Sequence, residues 1–142
     1  MNPIHILLAE DNPADARLVK EALNDNRIFA NLHHTIDGVE TMDFLRRQGK
    51  FLDAPRPDLI LLDLNMPRMD GREVLVAIKT DPNFAAIPVV VLTTSDSEAD
   101  VVRAYTAHAN CFLTKPINFT DFTDMIHRAT DFWFTLVRLP GA

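Results

Sequence analysis

The sequence predicts an α/β layer fold, a five-stranded parallel sheet with five helices packed on its two faces. Three observations point there. Short apolar runs alternate with stretches of helical period along the whole chain. The runs are apolar almost throughout, as strands covered on both sides must be. Polar residues crowd just after the runs, where open α/β sheets build their ligand sites.

The elements follow in order. Ile4 to Ala9 reads as a first buried strand. Asn12 can cap a helix with Pro13 at its first position, where the missing N–H costs nothing, and Leu18, Val19, Ala22 and Leu23 repeat at helical spacing. Leu32 to Ile36 is a weaker strand, interrupted by His33 and His34, and Asp37-Gly38 turns the chain into a short helix marked by Met42 and Leu45. Leu59 to Leu62 is the third strand, entered through prolines that suit its start and not its middle. Gly71 opens a helix with Val74, Leu75 and Ile78 on one face. Val89 to Thr94 has three β-branched valines in a row and is the strongest strand signal. Ser95 and Glu98 have capping-box spacing ahead of Val101, Val102 and Tyr105. Cys111 to Leu113 is a fifth strand. Asn118 can cap a last helix of about four turns, with Phe122, Met125, Ile126, Ala129, Phe132, Trp133 and Leu136 in period. Each crossover should be right-handed.

Bulk properties narrow the function. A chain of 142 residues with 47% hydrophobic and 24% charged content suits a single globular domain. The net charge of -6 disfavours sequence-independent binding to nucleic acid, and the basic stretch Arg46, Arg47, Lys50 and Arg56 reads as a solvated face. The apolar start is too short for a signal peptide or membrane span, and the lone Cys111 suits a reducing compartment, so the expected location is cytoplasmic. His5, His33, His34, His108 and His127 lack the spacing of a zinc site.

The strand ends carry the chemistry. Glu10 and Asp11 follow the first strand, Asp63 the third and Lys115 the fifth, while Thr93 ends the fourth; a parallel sheet gathers all five at one rim. Two carboxylates about 5 Å apart repel by roughly 3 kcal/mol at an effective dielectric near 20. Three acids against one lysine therefore call for a hard divalent cation such as Mg²⁺, with carboxylates from Asp11 and Asp63 and the backbone carbonyl of Asn65 as protein ligands. Beside that ion and a lysine, Asp63 is equipped to attack a phosphoryl group, with Lys115 and the Thr93 hydroxyl stabilising charge on the transferred oxygens.

Together, "LLAEDN", "LILLDLNMPRMDG", "PVVVLTTS" and "FLTKP" resemble, in order and spacing, the receiver domain of two-component response regulators over nearly the whole chain. The resemblance implies the flavodoxin-like strand order 2-1-3-4-5. It implies that Asp63 is the phosphoacceptor, that Glu10 and Asp11 hold Mg²⁺ with Asp63, and that Thr93 and Lys115 bind the phosphoryl group. Phe112 occupies the family's switch-aromatic position. Two departures matter. Glu10 stands where aspartate is frequent, and its longer arm suits contact through water. Phe112 lacks the hydroxyl of the tyrosine in some members, which removes any tyrosine-specific hydrogen bond from its switch.

"RRQGKFLDAPRP", "DGREVL", "IPVVVLTTS" and the tail "FWFTLVRLP" further resemble small single-domain regulators of phytochrome-type histidine kinases. That narrower likeness implies a sensor histidine kinase as partner and a homodimer through the fourth helix, fifth strand and fifth helix, with Trp133, Phe134 and Val137 supplying apolar area. The expected domain spans residues 1–142, with an extended last helix, a short tail and no effector domain, so output runs through protein contacts. The alternative is a Mg²⁺-dependent phosphatase of haloacid-dehalogenase type, which needs a second aspartate two residues after the nucleophile; Asn65 stands there. A nucleotide- or flavin-binding module lacks its glycine motif.

Overall fold

In the computed structural model, which describes residues 3–25 and 30–140, five strands form one parallel sheet in the order β2-β1-β3-β4-β5. They are β1 (Ile4–Ala9), β2 (Ala30–Thr35), β3 (Leu59–Leu62), β4 (Val89–Thr93) and β5 (Cys111–Thr114). The helices are α1 (Pro13–Asp25), α2 (Gly38–Arg46), α3 (Gly71–Thr80), α4 (Glu98–Thr106) and α5 (Phe119–Asp131). The outermost positions of the expected domain, 1–2 and 141–142, lie outside the described residues.

Side-chain alternation sorts the strands into two cores. Leu7, Ala9, Ile60, Leu62, Val89 and Val91 face Met42, Leu45, Val74, Leu75 and Ile78 of α2 and α3. Their neighbours Ile6, Leu8, Leu59, Leu61, Val90 and Leu92 face Ala16, Val19, Ala22, Leu23, Phe122 and Ile126 of α1 and α5. This is why the runs read as apolar at every residue: both faces are covered. Burying each large side chain fully contributes about 1.5–3 kcal/mol.

Local signals set most helix starts. Asn12 Oδ1 accepts from Ala14 N at 2.9 Å and Asp15 N at 3.2 Å, Asp70 caps α3, and Asn118 Oδ1 accepts from Asp121 N at 3.2 Å. Three expectations need correction. Ser95 does not cap α4. Ser97 does, through Asp100 N at 3.0 Å, which leaves the Ser95 hydroxyl free to donate to the Asp100 carboxylate. The last α-helix ends at Asp131, and Phe132–Leu136 continues as a π-helical turn, so its apolar period does not persist as one regular helix. β2 begins at Ala30 and runs unbroken through His33 and His34, because the imidazoles of His5 and His33 pair across β1 and β2 at 3.1 Å.

Candidate phosphoacceptor site

The sheet ladder itself delivers the polar residues. Asp63 N donates to Ala9 O at 3.0 Å, Glu10 N to Thr35 O at 2.9 Å, and Lys115 N to Thr93 O at 2.7 Å. Each bond carries pairing one step past the end of a strand, so Glu10, Asp63, Thr93 and Lys115 share the carboxyl rim. Carboxylate oxygens of Glu10, Asp11 and Asp63 come within 4.8 Å of one another. Glu10 and Asp63 are buried and Asp11 is exposed, which leaves the cluster open on one side.

Lys115 sits in the middle. Its ammonium, buried with the acids, donates to Glu10 Oε1, to Asp63 Oδ2 at 3.2 Å and to Asp15 Oδ2 at 2.9 Å. Asp15, in the first turn of α1, carried no signal in the sequence beyond favouring a helix start. The second Glu10 oxygen accepts from Asn12 N at 3.2 Å, and His34 Nε2 meets the Glu10 carbonyl at 2.7 Å. Burial pushes the Glu10 carboxyl up to about 8; the Lys115 bond opposes this and the neighbouring Asp63 adds to it. Burial alone would lower the Lys115 ammonium, but bonds to Glu10 and then Asp15 carry it above its ordinary value. The site thus holds protons more tightly than an open chain would. All of its donors are oxygens, and negative charge exceeds the one ammonium. That donor set fits a hard divalent cation and offers no ligand for a soft one.

Two close approaches fix the loop after β3. A Cβ on Gly71 would lie 2.0 Å from Asp63 O, and one on Gly38 would lie 1.9 Å from Met69 O. Gly71 N also donates to Leu64 O at 2.8 Å, closing the loop on itself. Asn65 N donates to Asp63 Oδ1 at 3.3 Å, which sets the Asn65 peptide beside the acid. Arg68, at φ 66°, reaches the Asp37 carboxylate with Nε at 2.8 Å and Nη2 at 3.1 Å. Burial would raise the Asp37 carboxyl, but the Arg68 bonds and the Glu40 N–H bring it below its ordinary value.

Further round the rim, Arg72 grips Asp100 of α4 with Nε at 3.1 Å and Nη2 at 2.8 Å. With the Ser95 hydroxyl, Arg72 holds the Asp100 carboxyl down at about 2. Thr93 is fully buried at the end of β4. Phe112 is half-buried against the α2–α3 core, and its N–H donates to the Tyr105 hydroxyl at 3.2 Å. Trp133 and Phe134, expected on a dimer face, are half-buried against the α1–α5 core, whereas Phe132 and Leu136 are exposed. No helix among the described residues is long and apolar enough to cross a membrane.

Comparison with known proteins agrees with this geometry. The chain is 50% identical over 140 residues to the response regulator Rcp1 of Synechocystis sp., covering 99% of this chain and 95% of Rcp1. A crystal structure of the Mn²⁺-bound form of Rcp1 superposes with a TM-score of 0.95, covering 98% of this chain and all of that one. The phosphorylated cyanobacterial phytochrome response regulator RcpA, 44% identical, also superposes with a TM-score of 0.95, covering 99% of this chain and all of its own. Residues 6–127 match the response regulator receiver domain. With that match on a five-stranded sheet whose rim gathers three acids around a lysine, the chain belongs to the response regulator receiver family.

Proposed function

We propose that this chain is a single-domain phosphoacceptor switch whose phosphoryl group arrives on Asp63 from a sensor histidine kinase of the phytochrome type. The observation that carries the reading is the rim itself, three acids within 4.8 Å with Lys115 bonded to two of them. The phytochrome assignment is supported by likeness to the cyanobacterial phytochrome response regulator RcpA.

In this reading Glu10, Asp11 and Asp63 with the Asn65 carbonyl hold Mg²⁺, which neutralises charge on the transferring oxygens when bound. The Asp63 carboxylate attacks phosphorus of a phosphohistidine, the P–N bond breaks, and the imidazole leaves with the electron pair. Imidazole is a good leaving group, so no general acid is required. Lys115 and the Thr93 hydroxyl then bind the added charge, ≈ -1.5 to -2 near neutral pH for a phosphoryl group. Movement of Thr93 and Phe112 reshapes the surface of α4 and β5, and α4-β5-α5 forms the homodimer face. The protein works in the cytoplasm and does not turn over phosphoesters, since Asn65 supplies no carboxylic proton for a leaving alcohol.

Labelling with acetyl phosphate and Mg²⁺ tests the assignment. Wild type should take up one phosphoryl group and Asp63→Asn none; undiminished labelling of that variant would refute the role of Asp63.

A further inference from the structure

Arg72 and Asp100 have no part in the phosphoacceptor chemistry, yet they close a ring around its mouth. Arg72 is the second residue of α3. Its Nη1 lies 3.5 Å from Asn65 Oδ1 and 3.7 Å from Asp70 Oδ2, while Nε and Nη2 bind both oxygens of Asp100. Asp100 Oδ2 accepts in turn from the Ser95 hydroxyl at 2.6 Å, and Ser95 N meets Thr93 Oγ1 at 3.4 Å. One chain of contacts therefore runs from the loop after Asp63 to the loop after Thr93. The geometry is bidentate and largely covered, with side chains 28% and 15% exposed, so two fixed donors face two fixed acceptors.

α4 is otherwise lightly held. Ala104 is its one buried residue, and beneath the ion pair lies an apolar cavity of about 50 Å³ lined by Leu64, Leu75, Ala104 and Ala107, among others. A helix with so little burial takes its position from a few polar ties. In the function proposed above Thr93 moves to bind a phosphoryl group on Asp63, and Ser95, whose N–H meets Thr93 Oγ1 at 3.4 Å, is drawn with it.

We propose that the Arg72–Asp100 pair is a positioning tether that holds the Thr93–Ser95 loop and the start of α4 in the phosphoryl-free arrangement, so that closure on a phosphoryl group works against it. This rests on Asp63 being the phosphoacceptor. Arg72 and Asp100 are positioning residues; neither touches the reacting atoms. Cutting the tether makes the closed arrangement easier to reach, and so binding of a phosphoryl mimic becomes tighter, not weaker.

Beryllofluoride with saturating Mg²⁺, followed by ¹⁹F NMR, supplies the test. Asp100→Asn should bind it about fivefold more tightly, at the low end of couplings through a two-state element. Asp100→Glu keeps a carboxylate within reach of Arg72 and should return toward wild type. Removing a negative charge near an anion site would by itself favour the anion. Ser95→Ala removes only the hydroxyl bridge, and it should shift in the same direction without a charge change. Ser95→Ala also decides the matter if Asp100→Asn fails to fold. Unchanged or weaker binding in a folded Ser95→Ala variant overturns the tether while leaving the phosphoacceptor reading intact. Loss of binding in Asp63→Asn together with normal wild-type binding keeps that reading. No binding by wild type overturns both.

Discussion

Replacing Lys115 with methionine, a side chain of similar length without charge, isolates what the buried ammonium does. In the intact protein it bonds Glu10, Asp15 at 2.9 Å and Asp63 at 3.2 Å, and it is buried with two of them. Without it the carboxylates face one another unbalanced. Their cheapest escape in metal-free buffer is to take up one further proton. Glu10, raised to about 8, already holds a proton here, so the further one goes to an aspartate; at an ordinary pKa near 3.9 this costs about 1.4 kcal/mol for each pH unit above that, roughly 4 kcal/mol at pH 7 and roughly 1.5 kcal/mol at pH 5. The sign is clear. The variant's site binds more protons folded than unfolded, so its stability falls as pH rises. Lys115 itself stays charged in both wild-type states across this window, because its folded pKa lies above its ordinary value. Urea unfolding at pH 5 and pH 7, with and without Mg²⁺, measures the difference. Mg²⁺ should restore most of the loss at pH 7 by supplying the missing positive charge. A deficit that is the same at both pH values, or that Mg²⁺ leaves untouched, would refute the view that Lys115 is there to balance clustered acids.

Other outcomes follow from the same geometry. Because burial raises the Glu10 carboxyl to about 8, Mg²⁺ binding should expel a proton below that pH and tighten as pH rises from 6 to 8; calorimetry in buffers of different ionisation enthalpy counts the proton. Gly71→Ala forces a Cβ to within 2.0 Å of Asp63 O, so it should cost about 2 kcal/mol or more in urea unfolding and displace Asp63 enough to weaken Mg²⁺ binding. Asp37→Ala removes the 2.7 Å bond to Glu40 N at the start of α2, worth about 1 kcal/mol by thermal unfolding. The Asp37 carboxyl lies below its ordinary pKa when folded, so its contribution is present above about pH 4 and disappears as pH falls through the folded value.

Much of this protein was written in local chemistry. A buried parallel strand must be apolar on both faces, so β1, β3 and β4 announced themselves as near-continuous apolar runs. Asn12, Asp70 and Asn118 are capping side chains that act within three residues of themselves, and Pro13 stands where its missing N–H costs nothing. Sheet topology then turns strand ends into neighbours, so strand order alone gathers Glu10, Asp11, Asp63 and Lys115 at one rim.

What acts through space was not legible. Asp15 meets Lys115 from 100 positions away, Arg68 meets Asp37 across 31, and Arg72 meets Asp100 across 28, and nothing near any of these residues names its partner. The same limit misplaced the α4 cap, because Ser95 and Ser97 have equal local claims until Asp100 takes one of them. It also left the final aromatic run ambiguous, since helical period records which residues are apolar and not where the helix axis bends. Short-range backbone preference is a property of neighbours along the chain, so the sequence by itself determines the elements and which residues stand at their ends. An ion pair is a property of whatever packing brings within about 4 Å, and only the tertiary structure decided which charges around this rim are balanced and which are left for a cation to meet.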